Sequence, residues 1–88
     1  MKLPLITQIL NATANQKRLE ILKFLKQKKY GSVSEIAKGI NLSVKSTSKH
    51  LAILNARHIV KREQESTLVY YSLNRPLNPV VKNIVSLL

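Results

Sequence analysis

A chain of 88 residues with 15 Lys and Arg against 4 Asp and Glu carries a formal net charge of +11, and all its acids are glutamates (Glu20, Glu35, Glu63, Glu65). That length confines it to a single domain, 1–88, whose small core makes dimerisation useful; the charge points to a polyanionic partner, nucleic acid first. The absence of cysteine excludes disulfides, thiolate metal sites and thiol redox sensing, and fits a reducing cytoplasm.

The N-terminal stretch "MKLPLITQILNATANQ" is too short and too polar for a signal or membrane segment. The expected location is therefore cytoplasmic and nucleoid-associated. Within that stretch, Leu3, Ile6, Ile9 and Leu10 share one face of a helix over residues 3–12. Asn15 is placed to cap the next helix, "QKRLEILKFLKQKK", which turns Leu19, Ile21, Leu22, Phe24 and Leu25 inward. Lys26, Lys28 and Lys29 crowd its last turn, where the helix dipole favours cations. They suit a solvated helix end better than a nucleic-acid contact. Gly31 breaks this helix. Ser32-x-x-Glu35 then forms a capping box for a short helix with Val33, Ile36, Ala37 and Ile40 inward. Asn41 tolerates the left-handed backbone that ends helices, and Ser43 caps the helix after it. Two helices joined by Asn41 and Leu42 read as a helix-turn-helix.

The second of these helices separates cleanly by angle, at about 100° per residue. Thr47, His50, Leu51 and Leu54 cluster on one side; Lys45, Ser48, Lys49, Ala52 and Ala56 lie opposite. Small residues let a helix approach a surface closely, and lysines supply charge. An ordinary solvated face would mix in glutamates, yet none occurs from Ile36 to Arg62. Such a face suits the major groove of DNA.

After His58 the pattern alternates. Ile59–Arg62 and Thr67–Leu73 read as two strands with Glu63-Gln64-Glu65-Ser66 as the turn. Val69, Tyr71 and Leu73 share one face; Leu68, Tyr70 and Ser72 share the other. Tyr70 and Tyr71 suit packing inside the hairpin better than base stacking. Asn78 caps a last helix, 79–88, with Pro79 at its first position. In "VVKNIVSLL" only Lys82, Asn83 and Ser86 are polar. So apolar a helix needs more than one buried face, and a second copy of the chain is the expected cover. The interface expected is Leu3, Ile6, Ile9 and Leu10 from the first helix with Val80, Val81, Ile84, Val85, Leu87 and Leu88 from the last.

Neither histidine reads as reactive. His50 lies on the inward face and is expected to pack and hydrogen-bond; His58 is expected to end its helix. Two histidines without Cys or Asp cannot fill a usual zinc site within one chain. Ser46 and His50 can approach on one helix, but nothing acidic orients the histidine. With no phosphate loop or metal cluster either, no enzyme activity, cofactor or metal is expected.

The segments "KRLEILKFL" at 17–25, "SVSEIAKGINLSVKSTSKHLAILNARHIVKR" at 32–62 and "LVYYSL" at 68–73 carry a resemblance. Arg18 with the "LEIL" after it, "LS" at 42–43, "SKHL" at 48–51, Ile53-Leu54 and "YYSL" at 70–73 together make residues 12–73 similar to the ArsR/SmtB family of winged helix-turn-helix repressors. The resemblance implies a mostly α fold with a small β-hairpin, in the order α-α-α-α-β-β-α, and a homodimer paired through the first and last helices. It makes the helix beginning at Ser43 the recognition helix and the hairpin a wing. DNA would be contacted by Ser43, Lys45, Ser46, Ser48 and Lys49 on the helix, and by Lys61, Arg62, Gln64, Ser66 and Thr67 on the wing. Glu63 and Glu65 are awkward there, since they repel phosphate.

The departures are specific. The family often has glycine where this chain has Asn41 and His58, both residue types that tolerate positive φ. Its best-known metal site uses cysteines where this chain has "SVSEIAKG". Another uses His and acidic residues on the last helix, where this chain has "NPVVKNIVSLL". The expected function is a dimeric, sequence-specific regulator on double-stranded DNA, most simply a repressor on an inverted repeat. The alternatives are a non-specific architectural DNA binder, since the reading face has no Arg, Asn or Gln, and a winged-helix protein-interaction module. A small-molecule effector at the dimer interface would leave no motif.

Overall fold

The computed structural model describes all 88 residues. The elements are α1 (Leu3–Thr13), α2 (Gln16–Lys28), β1 (Tyr30–Gly31), α3 (Val33–Gly39), α4 (Val44–Ala56), β2 (Val60–Glu65), β3 (Leu68–Leu73) and α5 (Pro79–Ser86). Every expected helix cap is made. Asn15 Oδ1 accepts from the Arg18 N–H at 3.1 Å, Ser43 Oγ from the Ser46 N–H at 3.1 Å, and Asn78 Oδ1 from the Val80 N–H at 2.8 Å. The capping box closes in both directions, with the Glu35 N–H donating to Ser32 Oγ and the Ser32 N–H to Glu35 Oε1. Each cap satisfies a helix-end N–H that would otherwise lack a partner.

The ends of α3 and α4 are built alike. Leu42 N–H donates to Ala37 O and Asn41 N–H to Lys38 O; Ile59 N–H donates to Leu54 O and His58 N–H to Asn55 O. Both are Schellman motifs, which put one left-handed residue just past the helix. Asn41 (φ 55) and His58 (φ 56) take that place, and each motif sets an apolar residue, Leu42 or Ile59, back against the helix it leaves. These two turns fix where α4 begins and where the hairpin starts. Lys29, expected inside α2, is instead its cap, with φ 77.

The sheet has three strands, in the order β1-β3-β2, all antiparallel. The third strand is a departure from the expected hairpin: Tyr30 and Gly31 pair with Ser72 and Tyr71. The turn is also displaced. Glu63, Gln64 and Glu65 belong to β2, and Glu65 pairs with Leu68, leaving only Ser66 and Thr67 as the loop. Ser66 has φ 58, the conformation a two-residue hairpin loop demands and glycine ordinarily supplies. The alternation along β3 stands: Tyr71 and Leu73 are buried and Leu68 is exposed.

The core runs through α2. Ile21, Leu22 and Leu25 meet Ile36 and Ile40 of α3, Leu51 and Leu54 of α4, Ile59, Val60, Tyr71 and Leu73 from the sheet side, and Ile9, Ala12, Val81 and Val85 from α1 and α5. Phe24 lies at the edge of this core, against the chain's two glycines. A Cβ at Gly39 would stand 2.6 Å from the Phe24 ring, and one at Gly31 2.9 Å from it. Both glycines thus serve close approach.

The terminal helices pack on each other, and this corrects part of the expected partner surface. Ile9, Val81 and Val85 are buried in the chain's own core, so they are not available to a second copy. What remains is a flanking stripe. Leu3 (77% exposed), Leu10 (47%) and Leu87 (85%) stand in solvent, beside the half-buried Ile6, Val80, Ile84 and Leu88. Leu5, not expected there, is exposed as well. No helix is long and apolar enough to cross a membrane.

Candidate nucleic-acid interface

The exposed side of α4 is held from behind by two cations of α2. Lys17 Nζ donates to the carbonyl of Ile40 at 2.7 Å, tying α2 to the end of α3 and so to the turn before α4. Arg18 ties its own helix to two others. Its Nε–H donates to His50 Nδ1 on α4 at 3.2 Å, and its Nη1 donates to the carbonyls of Asn11 (3.3 Å) and Ala12 (3.2 Å) at the end of α1. Sequence reasoning identified Arg18 only as part of a motif. The usable signal was a cation immediately before an apolar run, in a chain with an inward-facing histidine that needed a partner.

His50 is the packed, hydrogen-bonded residue expected. Burial, and then the neighbouring Arg18 charge, hold its imidazole below the ordinary value of 6.5. Accepting from Arg18 at Nδ1 requires the neutral ring with its proton on Nε2. The unfolded chain therefore binds this proton more tightly than the folded one. The His50 contribution to folding stability is fully present above pH 6.5 and falls as pH drops from 6.5 through the lowered folded value. Acidification from about pH 7 to pH 5 is expected to depress the melting temperature of the wild-type protein more than that of His50→Gln. Equal depression in both would remove His50 from the acid response.

The inner face of α4 is completed by Thr47, Leu51 and Leu54, each 0% exposed. Thr47 Oγ1 is buried without a hydrogen-bond partner. On the opposite face Lys45, Ser48, Lys49, Ala52 and Ala56 are all exposed, as is Ser43 at the cap, while Ser46 is half-buried. Val44, unremarked in the sequence, is half exposed at the leading end. The helix has no acidic residue, and Lys45 and Lys49 make no ion pair: the two in the molecule are Lys17–Glu20 and Lys61–Glu63. The face is thus a strip of small side chains with two uncompensated charges toward its N-terminal half.

The wing residues Lys61, Arg62, Gln64, Ser66 and Thr67 are all exposed, but they are not equivalent. Lys61 Nζ is 3.3 Å from Glu63 Oε1, so its charge is partly neutralised. Gln64 Nε2 donates to Ser66 O at 3.3 Å, bracing the tip. Strand alternation puts Arg62 and Gln64 on the sheet face that carries Val60, Tyr71 and Leu73. Glu63 and Glu65 lie on the other face with Tyr70 and Tyr30. Tyr71 packs into the core as expected; Tyr70 instead meets Tyr30 edge-on at 5.8 Å. That pair depends on β1, which sequence reading missed. No group of three or more His, Cys, Asp or Glu side chains is placed to share a metal ion.

Residues 15–62 match the family described as bacterial regulatory protein, arsR family. The chain is 35% identical over 80 residues to the transcriptional activator HlyU of Vibrio cholerae, covering 91% of this chain and 70% of that protein. It is 31% identical over 81 residues to the transcriptional repressor PagR of Bacillus anthracis, covering 92% and 78%. The fold superposes on the crystal structure of PagR with a TM-score of 0.82, at 29% identity over 97% of this chain and 93% of that one. It is also similar to the homodimeric winged helix-turn-helix DNA-binding domain of Mb0332 from Mycobacterium bovis, with a TM-score of 0.82 at 27% identity over 97% and 75% of the two chains.

Proposed function

The chain belongs to the arsR family of bacterial regulatory proteins, winged helix-turn-helix transcriptional regulators, and from that membership we propose that it is a homodimeric, sequence-specific repressor acting on an inverted repeat. The observation that carries this reading is the acid-free outer face of α4, with Lys45, Ser48 and Lys49 exposed and unpaired. Two such helices would enter successive major grooves about 34–36 Å apart. Ser43 and Ser46 would anchor the DNA backbone, and Lys45, Ser48 and Lys49 would meet base edges or nearby phosphates. On the wing, Arg62, Ser66 and Thr67 are the better contacts, with Lys61 and Gln64 secondary because each already has an intramolecular partner.

The dimer would form through the stripe of Leu3, Ile6 and Leu10 on α1 with Val80, Ile84, Leu87 and Leu88 of the C-terminal end. Repression needs only that a bound dimer occlude a promoter; PagR is named a repressor and HlyU an activator. A basic, cysteine-free protein of this kind would work in the cytoplasm, on the nucleoid.

The test is Lys49→Ala, measured by fluorescence anisotropy on the duplex upstream of its own gene with excess random duplex present. Specific binding is expected to weaken by about 1–3 kcal/mol, roughly fivefold to 150-fold. An equal loss on random DNA would assign Lys49 to phosphate, and unchanged affinity would refute this face of α4. A second reading, non-specific architectural binding, draws on one observation: the exposed face has no Arg, Asn or Gln to read bases. It requires that random competitor erase binding and that affinity fall steeply with salt.

A further inference from the structure

Arg18 and Arg57 line one concavity, between α1, α2 and α4, with Gln8, Asn11, Ala12 and Ile53; its volume is about 190 Å³. None of the four glutamates lines it, and neither arginine is in an ion pair. A guanidinium has five N–H donors. Arg18 spends its Nε on His50 and its Nη1 on the carbonyls of Asn11 and Ala12, which leaves Nη2 without a protein partner. Arg57 spends one Nη1 hydrogen bond on Gln8 Oε1 at 3.1 Å, which fixes the Gln8 oxygen toward Arg57 and leaves the two N–H donors of its amide without a protein partner. The Asn11 side chain makes no hydrogen bond with the protein. Two cations and two amides thus offer spare donors around one small space, with no carboxylate to meet them.

From this we propose that the concavity is a binding site for a small oxyanion, a carboxylate or phosphate, and that the ligand fixes α4 against α1. The volume is below the roughly 300–1,000 Å³ of pockets for drug-sized ligands, so the ligand is small. Guanidinium groups bind carboxylate and phosphate in a planar, two-pronged geometry, stronger than neutral hydrogen bonds. DNA phosphate is the other source of such an anion, but the position argues against it. Arg57 lies twelve residues beyond Lys45, about 18 Å further along the helix axis at 1.5 Å per residue, whereas recognition helices meet DNA through their N-terminal residues. The inference rests on the regulatory reading for its purpose, since α1 carries the proposed dimer stripe and α4 the reading face. An anion joining them would set the angle at which the dimer presents its two recognition helices.

The experiment is nitrogen–proton NMR on the full chain without DNA, titrating inorganic phosphate and, separately, acetate against chloride at constant ionic strength. Because no duplex is present, a wrong assignment of the reading face does not affect the result. Saturable shifts at the Asn11 side-chain amide and the Arg18 and Arg57 Nε–H, weakened about tenfold in Arg57→Gln, are expected with phosphate, acetate or both. Arg57 is exposed, so that variant keeps the fold, which its unchanged amide spectrum elsewhere would show. Linear shifts spread over the surface lysines, or identical titrations for wild type and Arg57→Gln, would overturn the site. A parallel duplex titration separates the sources: if those groups respond to duplex alone, the arginines belong to backbone contact and the small-ligand site is refuted.

Discussion

Leu51→Ala will lower the unfolding free energy by about 2–5 kcal/mol, the range for removing a fully buried leucine side chain. Leu51 is 0% exposed at the middle of the inner face of α4, between Thr47 and Leu54, in the cluster that joins α2, α3 and the sheet. Small domains have roughly 5–15 kcal/mol in all, so this one change consumes much of the total. DNA binding is expected to fall with it, because the proposed reading face exists only while α4 is seated. Urea denaturation followed by circular dichroism is the check, at a fixed protein concentration, since a dimer's midpoint depends on it. Lys49→Ala is the control: an exposed substitution should move stability by no more than about 0.5 kcal/mol, so the two variants separate loss of the surface from loss of its support. A cost below about 1 kcal/mol for Leu51→Ala, well under the range for a buried leucine, would show that the inner face of α4 is not tightly packed.

The second large effect concerns assembly. Leu10→Glu combined with Leu87→Glu is expected to give a folded monomer that binds an inverted repeat about 10²–10⁴-fold more weakly, the amount by which two linked sites exceed one. Leu10 is about half exposed (47%) and Leu87 stands largely in solvent (85%), so charge there costs the single chain little. Between two copies the same carboxylates would be buried without partners, which is expensive. Light scattering after size exclusion reports the mass, and anisotropy on whole and half sites reports the affinity. A double variant that remains dimeric would move the interface off the terminal helices. One that becomes monomeric yet keeps full affinity would remove the need for a dimer.

Where the chain announces its structure through local chemistry, reading it residue by residue was enough. The caps at Asn15, Ser32, Ser43 and Asn78 are side chains that satisfy the N–H groups beside them, and all are found in that role. Asn41 and His58 were legible as left-handed residues because few side chains tolerate that backbone. The misses all involve partners distant in the chain. Tyr30 and Gly31 pair with residues 72 and 71, and nothing in a two-residue strand advertises this. The wing turn was misplaced because Ser66 adopts a glycine-like φ and because Glu63, Gln64 and Glu65, poor strand formers, are carried by their pairing with β3. The face assigned to the terminal helices was too generous in membership, since periodicity does not say whether Ile9, Val81 and Val85 meet their own chain or another, and here they meet their own. The Arg18–His50 hydrogen bond crosses 32 residues and left only a motif as its trace.

The strand order β1-β3-β2 leaves β2 with a bare outer edge, a row of unpaired backbone groups able to recruit a strand from another molecule. Proteins guard such edges with charge. Along β2 the exposed run is Lys61, Arg62, Glu63, Gln64 and Glu65, which no apolar strand would pair with cheaply. The two glutamates that fit poorly beside phosphate therefore have an occupation of their own. They give this edge charges of both signs, so that a protein that must be concentrated on DNA does not add itself, strand to strand, into fibres.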